Sequence, residues 1–503
     1  LPTQESLILC NELRIYNIWV YNQWNRAYTI GNKGYEEVSG LQIEQKVFDA
    51  LSSMIKNGEL HQAKQQIDLM LKSHLDMSQI IKLEDEKWCI QLIIAQYTLT
   101  YNALYSALTN AIKDFNEDDM HYVTSQGYLI YHMIEGEKMY HQRAVKTVCR
   151  VFIQRVVNNA FINRSQFLAS NLAMQHHIQN LIQKRLKSMT IMLKASLEMI
   201  DKDEQEKRPL QVYLPIPRAT SLTLLDYTPI MPEIASFDAS QRTVYFSTSK
   251  KCATYSVTYA YTMMASYQKR QLKSGLALSK EDKEKYFHFL IERPPHITFS
   301  EEIQQLAQTI TAEWDAPLEK ARAIYDWVTQ RINYTFMPDY RVIESLCMHA
   351  LNNRSGDCGT QAVLMITLLR YVGIPACFCS GRVIDPLTNE TGMHDWLAFY
   401  VHPFGWIKSD PSYGADAYKN GDLERWHFYF ENCDLYRMEA NQAFEKPFEN
   451  QEIWRKDPYD NQCGEAGFDE RPQRLSYQTT TSVLNIKQYV YEGDAYKDLE
   501  NIK

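Results

Sequence analysis

The chain has 503 residues, 45% hydrophobic and 23% charged, a globular composition that excludes a disordered or collagenous protein. At roughly 150 residues per domain, two to four domains are expected. Fifty-three basic against sixty-one acidic side chains leave a net charge of −8, which argues against a dedicated nucleic-acid or acidic-lipid binder, and the lack of any run of about 18 apolar residues argues against a membrane-spanning helix.

Residues 1–205 read as an all-α N-terminal region. Val47, Leu51, Met54 and Ile55 recur at helical spacing, as do Ile67, Met70, Leu71 and Leu75. The same spacing continues in Leu186, Met189, Met192, Leu193, Leu197 and Ile200. The pattern predicts antiparallel helices joined by short loops, a structural region or a surface for a protein partner. His176 and His177 fall on a polar helix and read as surface residues. The charge run from Asp201 to Arg208 then reads as a solvated helix end or linker.

From Leu210 the texture changes. Val212-Tyr213-Leu214, Thr243-Val244-Tyr245-Phe246 and the stretch Tyr255–Tyr259 are β-branched and aromatic, with prolines between them. This predicts a small β-rich domain over 209–265. Helices return from Ser300 to about Arg331: Ser300 is a cap, and Pro317 opens a second helix that turns Leu318, Ala321, Ile324, Tyr325 and Val328 inward. Asn333-Tyr334-Thr335-Phe336 leaves that helix extended.

The ten cysteines form no C-x-x-C pair, so neither a zinc ribbon nor a small disulfide scaffold is written here. Cys347, His349, Cys377 and Cys379 lack a loop-type ligand pair, and neither a metal nor a cofactor is expected. Scattered thiols lean towards a reducing compartment. The opening Leu1 points the other way, to a removed signal peptide, so localisation stays open between cytoplasm and export.

Cys358 stands apart from the other nine. The loop Arg354-Ser355-Gly356-Asp357 delivers it to the start of an apolar helix that Gly373-Ile374-Pro375 stops. A helix N-terminus carries about half a positive charge and lowers the pKa of a thiol placed there, which suits a nucleophile. Thirty-six residues on, His394 opens a strand that the turn His402-Pro403-Phe404-Gly405 folds back, and the returning strand ends at Asp410. Histidine and aspartate therefore lie at the same end of a hairpin, where the ring can activate Cys358 and the carboxylate can fix its tautomer. By alternation Asp395 should point to the opposite face, while Asp357 caps or turns the loop.

Gly356-Asp357-Cys358-Gly359, Leu369-Arg370-Tyr371-Val372-Gly373-Ile374-Pro375, His394-Asp395-Trp396 and Asp410-Pro411 closely resemble the transglutaminase-like superfamily, which includes bacterial cysteine-protease-like members. Ala321–Val328 resembles that family's helix before the nucleophile, and Phe428–Phe430 with Asp434–Asn441 resembles a tail of bacterial members. The resemblance covers about residues 290–445 and implies an α+β, papain-like core over 285–445 with a Cys358–His394–Asp410 triad. Residues 446–503 are then a C-terminal extension packing on the core. Tyr334, Asn333, Gly359 and Trp396 are candidates for the oxyanion donor or the cleft wall.

The implied reaction is thiol-dependent acyl transfer on amide bonds of a peptide or protein substrate. Animal crosslinking members carry Trp after the nucleophile where this chain has Gly359, and peptide N-glycanases carry C-x-x-C pairs that are absent here. Hydrolysis by a cysteine peptidase or amidase is therefore the first expectation and γ-glutamyl transfer the second. A binding or scaffold protein that has lost activity is the reading from a different class.

Overall fold

The computed structural model describes residues 48–73, 75–200, 208–219, 221–249, 252–449, 451, 453–472 and 475–490. Val47, Cys10 and residues 201–207 of the charge run lie outside them. The chain divides into two compact units, residues up to Ile90 with Met133–Gly136, and Gln91–His132 with Glu137 onward. In the first, the helix Leu60–Met70 buries Leu60, Ala63 and Ile67 along one stripe at i, i+3, i+7. No described helix is long and apolar enough to cross a membrane.

Helix makes up about 40% and strand 27%, so the protein is mixed α and β from its first half onward. The all-helical expectation for residues 1–205 is corrected here. Tyr97–Leu99, Tyr131–Ile134, Glu137–His141 and Leu186–Met199 are strands. The last is the largest departure: Leu186–Met199 pairs along its length with Thr254–Met264 on one side and Tyr477–Val490 on the other. From Met189 onward its buried positions are Met189, Ile191, Leu193, Ala195, Leu197 and Met199, a period of two. Its leucines and methionines also fit a helical stripe. Pairing on both edges decides between the two patterns, because sheet partners far along the chain override local preference.

Strands from outside 209–265 also complete the β passage. One four-stranded sheet runs Glu465–Gly467, Leu210–Pro215, Thr243–Thr248, Glu233–Ile234. The other runs Tyr477–Val490, Leu186–Met199, Thr254–Met264, Leu222–Thr228. The β-rich stretch is thus not closed on itself.

The sheet that carries the site is antiparallel, ordered Gly405–Ser409, Thr391–Val401, Ala376–Ile384, Arg437–Asn441. Phe378, Leu397, Phe399 and Ile407 face the core and pack with Val363, Met365, Ile366 and Leu369 of the helix Cys358–Tyr371. Nearly every residue of that helix is buried, the pattern of a central helix rather than an amphipathic surface one. Its end is marked by Gly373 at φ +80°, a left-handed conformation that glycine adopts without steric cost. Before it, Asn333–Tyr334 pairs in parallel with Ser355–Gly356 and sets the height at which Cys358 enters the helix.

At Gly381, in register with His394, two backbones approach closely. A Cβ there would lie 1.9 Å from the carbonyl oxygen of Met438. Gly381→Ala is expected to push Arg437–Asn441 off the sheet edge and cost roughly 1–3 kcal/mol, as overpacking does. A urea midpoint equal to the parent protein's would contradict this.

Candidate active site

Asp357 builds the start of the nucleophile helix. Its Oδ1 accepts hydrogen bonds from the Thr360 backbone N–H at 3.1 Å, the Thr360 hydroxyl at 2.8 Å and the Tyr340 hydroxyl at 2.7 Å. It is a helix cap whose second job is to hold Tyr340. Cys358 follows as the first helical residue, 8% exposed. A Cβ on Gly359 would meet the Tyr340 hydroxyl at 2.2 Å and Asp395 Oδ2 at 2.7 Å, so any side chain there would have to displace both groups beside the thiol.

His394 and Asp410 meet. Nε2 of His394 and Oδ2 of Asp410 are 2.7 Å apart, with both side chains buried. A carboxylate at Nε2 keeps the ring proton there and leaves Nδ1 as the basic nitrogen. Asp410 also caps the helix Pro411–Lys419, its Oδ1 accepting from the Tyr413 N–H at 2.9 Å and the Ser412 hydroxyl at 3.0 Å. The Arg437 guanidinium sits 2.7 Å from Asp410 and 2.7 Å from Asp434. Burial alone would raise the Asp410 carboxyl, but the His394 ring and Arg437 outweigh it and hold the group well below the usual carboxylate range. Tyr413 lies against the imidazole at 4.4 Å between ring centroids, and Trp396 lies nearly parallel to it at 6.0 Å.

Cys358 is held differently from the sequence expectation. Its thiol donates to Asp395 Oδ2 at 3.5 Å, and no hydrogen bond joins it to His394. Asp395 shares the helix-facing side of its strand with Leu397 and Phe399, and His394 shares the other with Trp396 and Ala398. Asp395 lies on the face opposite His394, as alternation requires, and the helix start lies on the Asp395 side. The low thiol pKa expected from the helix N-terminus is also not what this environment gives. Burial first, then the Asp395 and Asp357 carboxylates, push the Cys358 thiol well above its ordinary range.

The other candidates divide. The Asn333 carboxamide donates to the Gln126 carbonyl at 2.9 Å and accepts from the Tyr128 hydroxyl at 3.0 Å and Lys419 at 2.6 Å, which engages its oxygen and one of its two N–H groups. Tyr334 stays near the sulfur, its ring covered by the Arg150 guanidinium at 4.3 Å. Trp396 is buried against Cys377, Cys379 and Ala398, with its indole N–H unpaired. His177, read as surface, is 5% exposed: its Nε2 accepts the Leu435 N–H at 3.3 Å, and burial lowers it to about 4.

Sequence reasoning did not single out Arg437, Tyr340 and Gln462. Gln462 lies in the C-terminal extension and donates its amide to Asp395 Oδ1 at 2.6 Å. Arg437 lay in plain view inside the family-like tail, three residues after Asp434. No described group of three or more His, Cys, Asp or Glu could hold a metal ion.

Residues 304–411 match the family described as the Transglutaminase-like superfamily, and this stretch contains Cys358, His394 and Asp410. No curated protein matches the chain. Among solved structures, the chain is similar to a candidate cysteine protease from Cytophaga hutchinsonii at 16% identity and TM-score 0.36, covering 62% of this chain and 93% of that one. It is similar to the periplasmic domain of TgpA from Pseudomonas aeruginosa at 14% identity and TM-score 0.26, covering 50% and 94%. A candidate protease from Parabacteroides distasonis gives 15% identity and TM-score 0.19, with 41% of each chain covered.

Proposed function

We propose that the protein is a thiol-dependent acyltransferase acting on amide bonds of peptides or proteins, hydrolytic in its main reaction. The observation that carries this reading is the buried His394–Asp410 pair at 2.7 Å, within the same family stretch as a cysteine at a helix start. In the proposed cycle the Cys358 thiol leaves Asp395, the S–H bond breaks and the proton passes to Nδ1 of His394. The sulfur attacks the amide carbonyl, with the Cys358 backbone N–H as one oxyanion donor. The C–N bond then breaks, the imidazolium returns the proton to the leaving amine, and a thioester remains. Water releases a carboxylic acid; a primary amine in its place gives a new amide.

One observation favours the binding-module reading instead, namely that the thiol is bonded to Asp395 rather than to the imidazole. The two readings separate when casein is incubated with the protein, with and without a fluorescent primary amine, and the products are weighed. We expect shorter peptides or deamidated side chains as the main products, fewer amine adducts, and complete loss of both on Cys358→Ala. Products that persist in that variant would overturn the proposal, and absence of any product would favour the binding module.

A further inference from the structure

The Asp395 carboxyl is 3% exposed and has two partners, the Cys358 thiol at 3.5 Å on Oδ2 and the Gln462 amide at 2.6 Å on Oδ1. No described cation pairs with it. The charged and titratable groups around it are Asp357 and Tyr340 beside the helix start, Asp410 at the hairpin end, and Asp457 and Asp460 in the C-terminal extension. Arg437 pairs with Asp410 and Asp434, and Arg455 pairs with Glu465. A buried acid that lacks a cation and touches a buried thiol cannot ionise independently of it, because two adjacent anions in a low-dielectric site repel strongly.

We propose that Asp395, held in place by Gln462, is a second acid–base partner of Cys358 that keeps the sulfur protonated at rest and delays its ionisation until the thiol is handed to His394. The proposal deepens the acyl-transfer reading and rests on it for its role in turnover, although the thiol chemistry stands without it. Of the two groups the carboxyl is by nature the stronger acid, so it is the first to ionise as the pH rises. The resulting anion, 3.5 Å from the sulfur, then opposes thiolate formation over the range in which the thiolate would appear. Gln462 brings the C-terminal extension into this control, since its amide fixes the carboxyl plane that faces the sulfur.

The test is the pH dependence of Cys358 alkylation by iodoacetamide in the full chain, followed by mass spectrometry of the Cys358 peptide. In the parent protein we expect a midpoint above the ~8.5 of a free cysteine. Asp395→Asn keeps the shape and removes the charge, so it should move the midpoint down by about one unit or more, which is about tenfold faster labelling below the midpoint. Gln462→Leu should move it in the same direction by less, and decides the matter if Asp395→Asn does not fold. A parent midpoint at or below the free-cysteine value, or a midpoint that neither variant moves, overturns the proposal. Failure of the acyl-transfer reading looks different, because it is the loss of effect of His394 replacement on turnover.

Discussion

Replacing Arg437 with methionine is expected to lower the unfolding free energy by about 3–5 kcal/mol, the usual consequence of removing one partner from a buried ion cluster. Arg437 is 2% exposed and stands between two carboxylates that are themselves fully buried. Its guanidinium also lies over the rings of Trp396 at 5.1 Å and Tyr413 at 5.0 Å, so the positive charge is closed in on several sides. Without it, among the described residues, Asp410 keeps only His394 as an ionic partner and Asp434 has none, and at least one carboxyl must take up a proton. The loss should therefore grow with pH. Asp410 is held low in the folded protein, so it contributes stability above its unfolded pKa, and that contribution disappears as the pH falls through its folded value. Urea titrations at pH 7 and pH 3 would check this, and adding Asp434→Asn to the Arg437→Met variant should recover part of the loss. A difference below about 1 kcal/mol would mean the cluster contributes no more than a surface pair does.

The second large effect is kinetic. His394→Gln should lower amide turnover by roughly 100- to 10,000-fold, the range that general acid–base catalysis supplies. Asp410→Asn is the sharper variant. An asparagine can still cap the helix Pro411–Lys419 through Tyr413, so the cap energy of about 1 kcal/mol is largely kept. What changes is the ring: an amide no longer stabilises an imidazolium or fixes the proton on Nε2. Asparagine cannot pair with Arg437 as the carboxylate does, so the urea midpoint should fall as well, and the expected signature is a fall in kcat that persists under conditions where the variant is fully folded. Turnover within tenfold of the parent in both variants would remove His394 and Asp410 from the chemistry.

The sequence made the local features near the nucleophile readable, because each is written in adjacent residues. The glycine-flanked turn before Cys358, the run of apolar residues behind it and the Gly373 stop all describe one helix. The hairpin that carries His394 and Asp410 is likewise a short-range pattern, and the two residues do meet at its end. What escaped depends on partners far away in the chain. Leu186–Met199 carries residues that suit a helix and becomes a strand only because Tyr477–Val490 and Thr254–Met264 flank it. Asp395 was correctly placed opposite His394, but which side of the sheet the helix occupies is a matter of packing that alternation cannot supply. Gln462 reaches the site from 67 residues beyond Asp395, through a loop with no periodic pattern to read.

The edge strand Arg437–Asn441 ties the site to sequence beyond residues 304–411, the part of the chain that matches the family model. An excised piece cut at the limits of that stretch would keep cysteine, histidine and aspartate in order. It would lose the cation that balances the aspartate and the amide that steadies the acid beside the sulfur. The residues that hold the site in place therefore extend beyond residue 411, at least through Gln462.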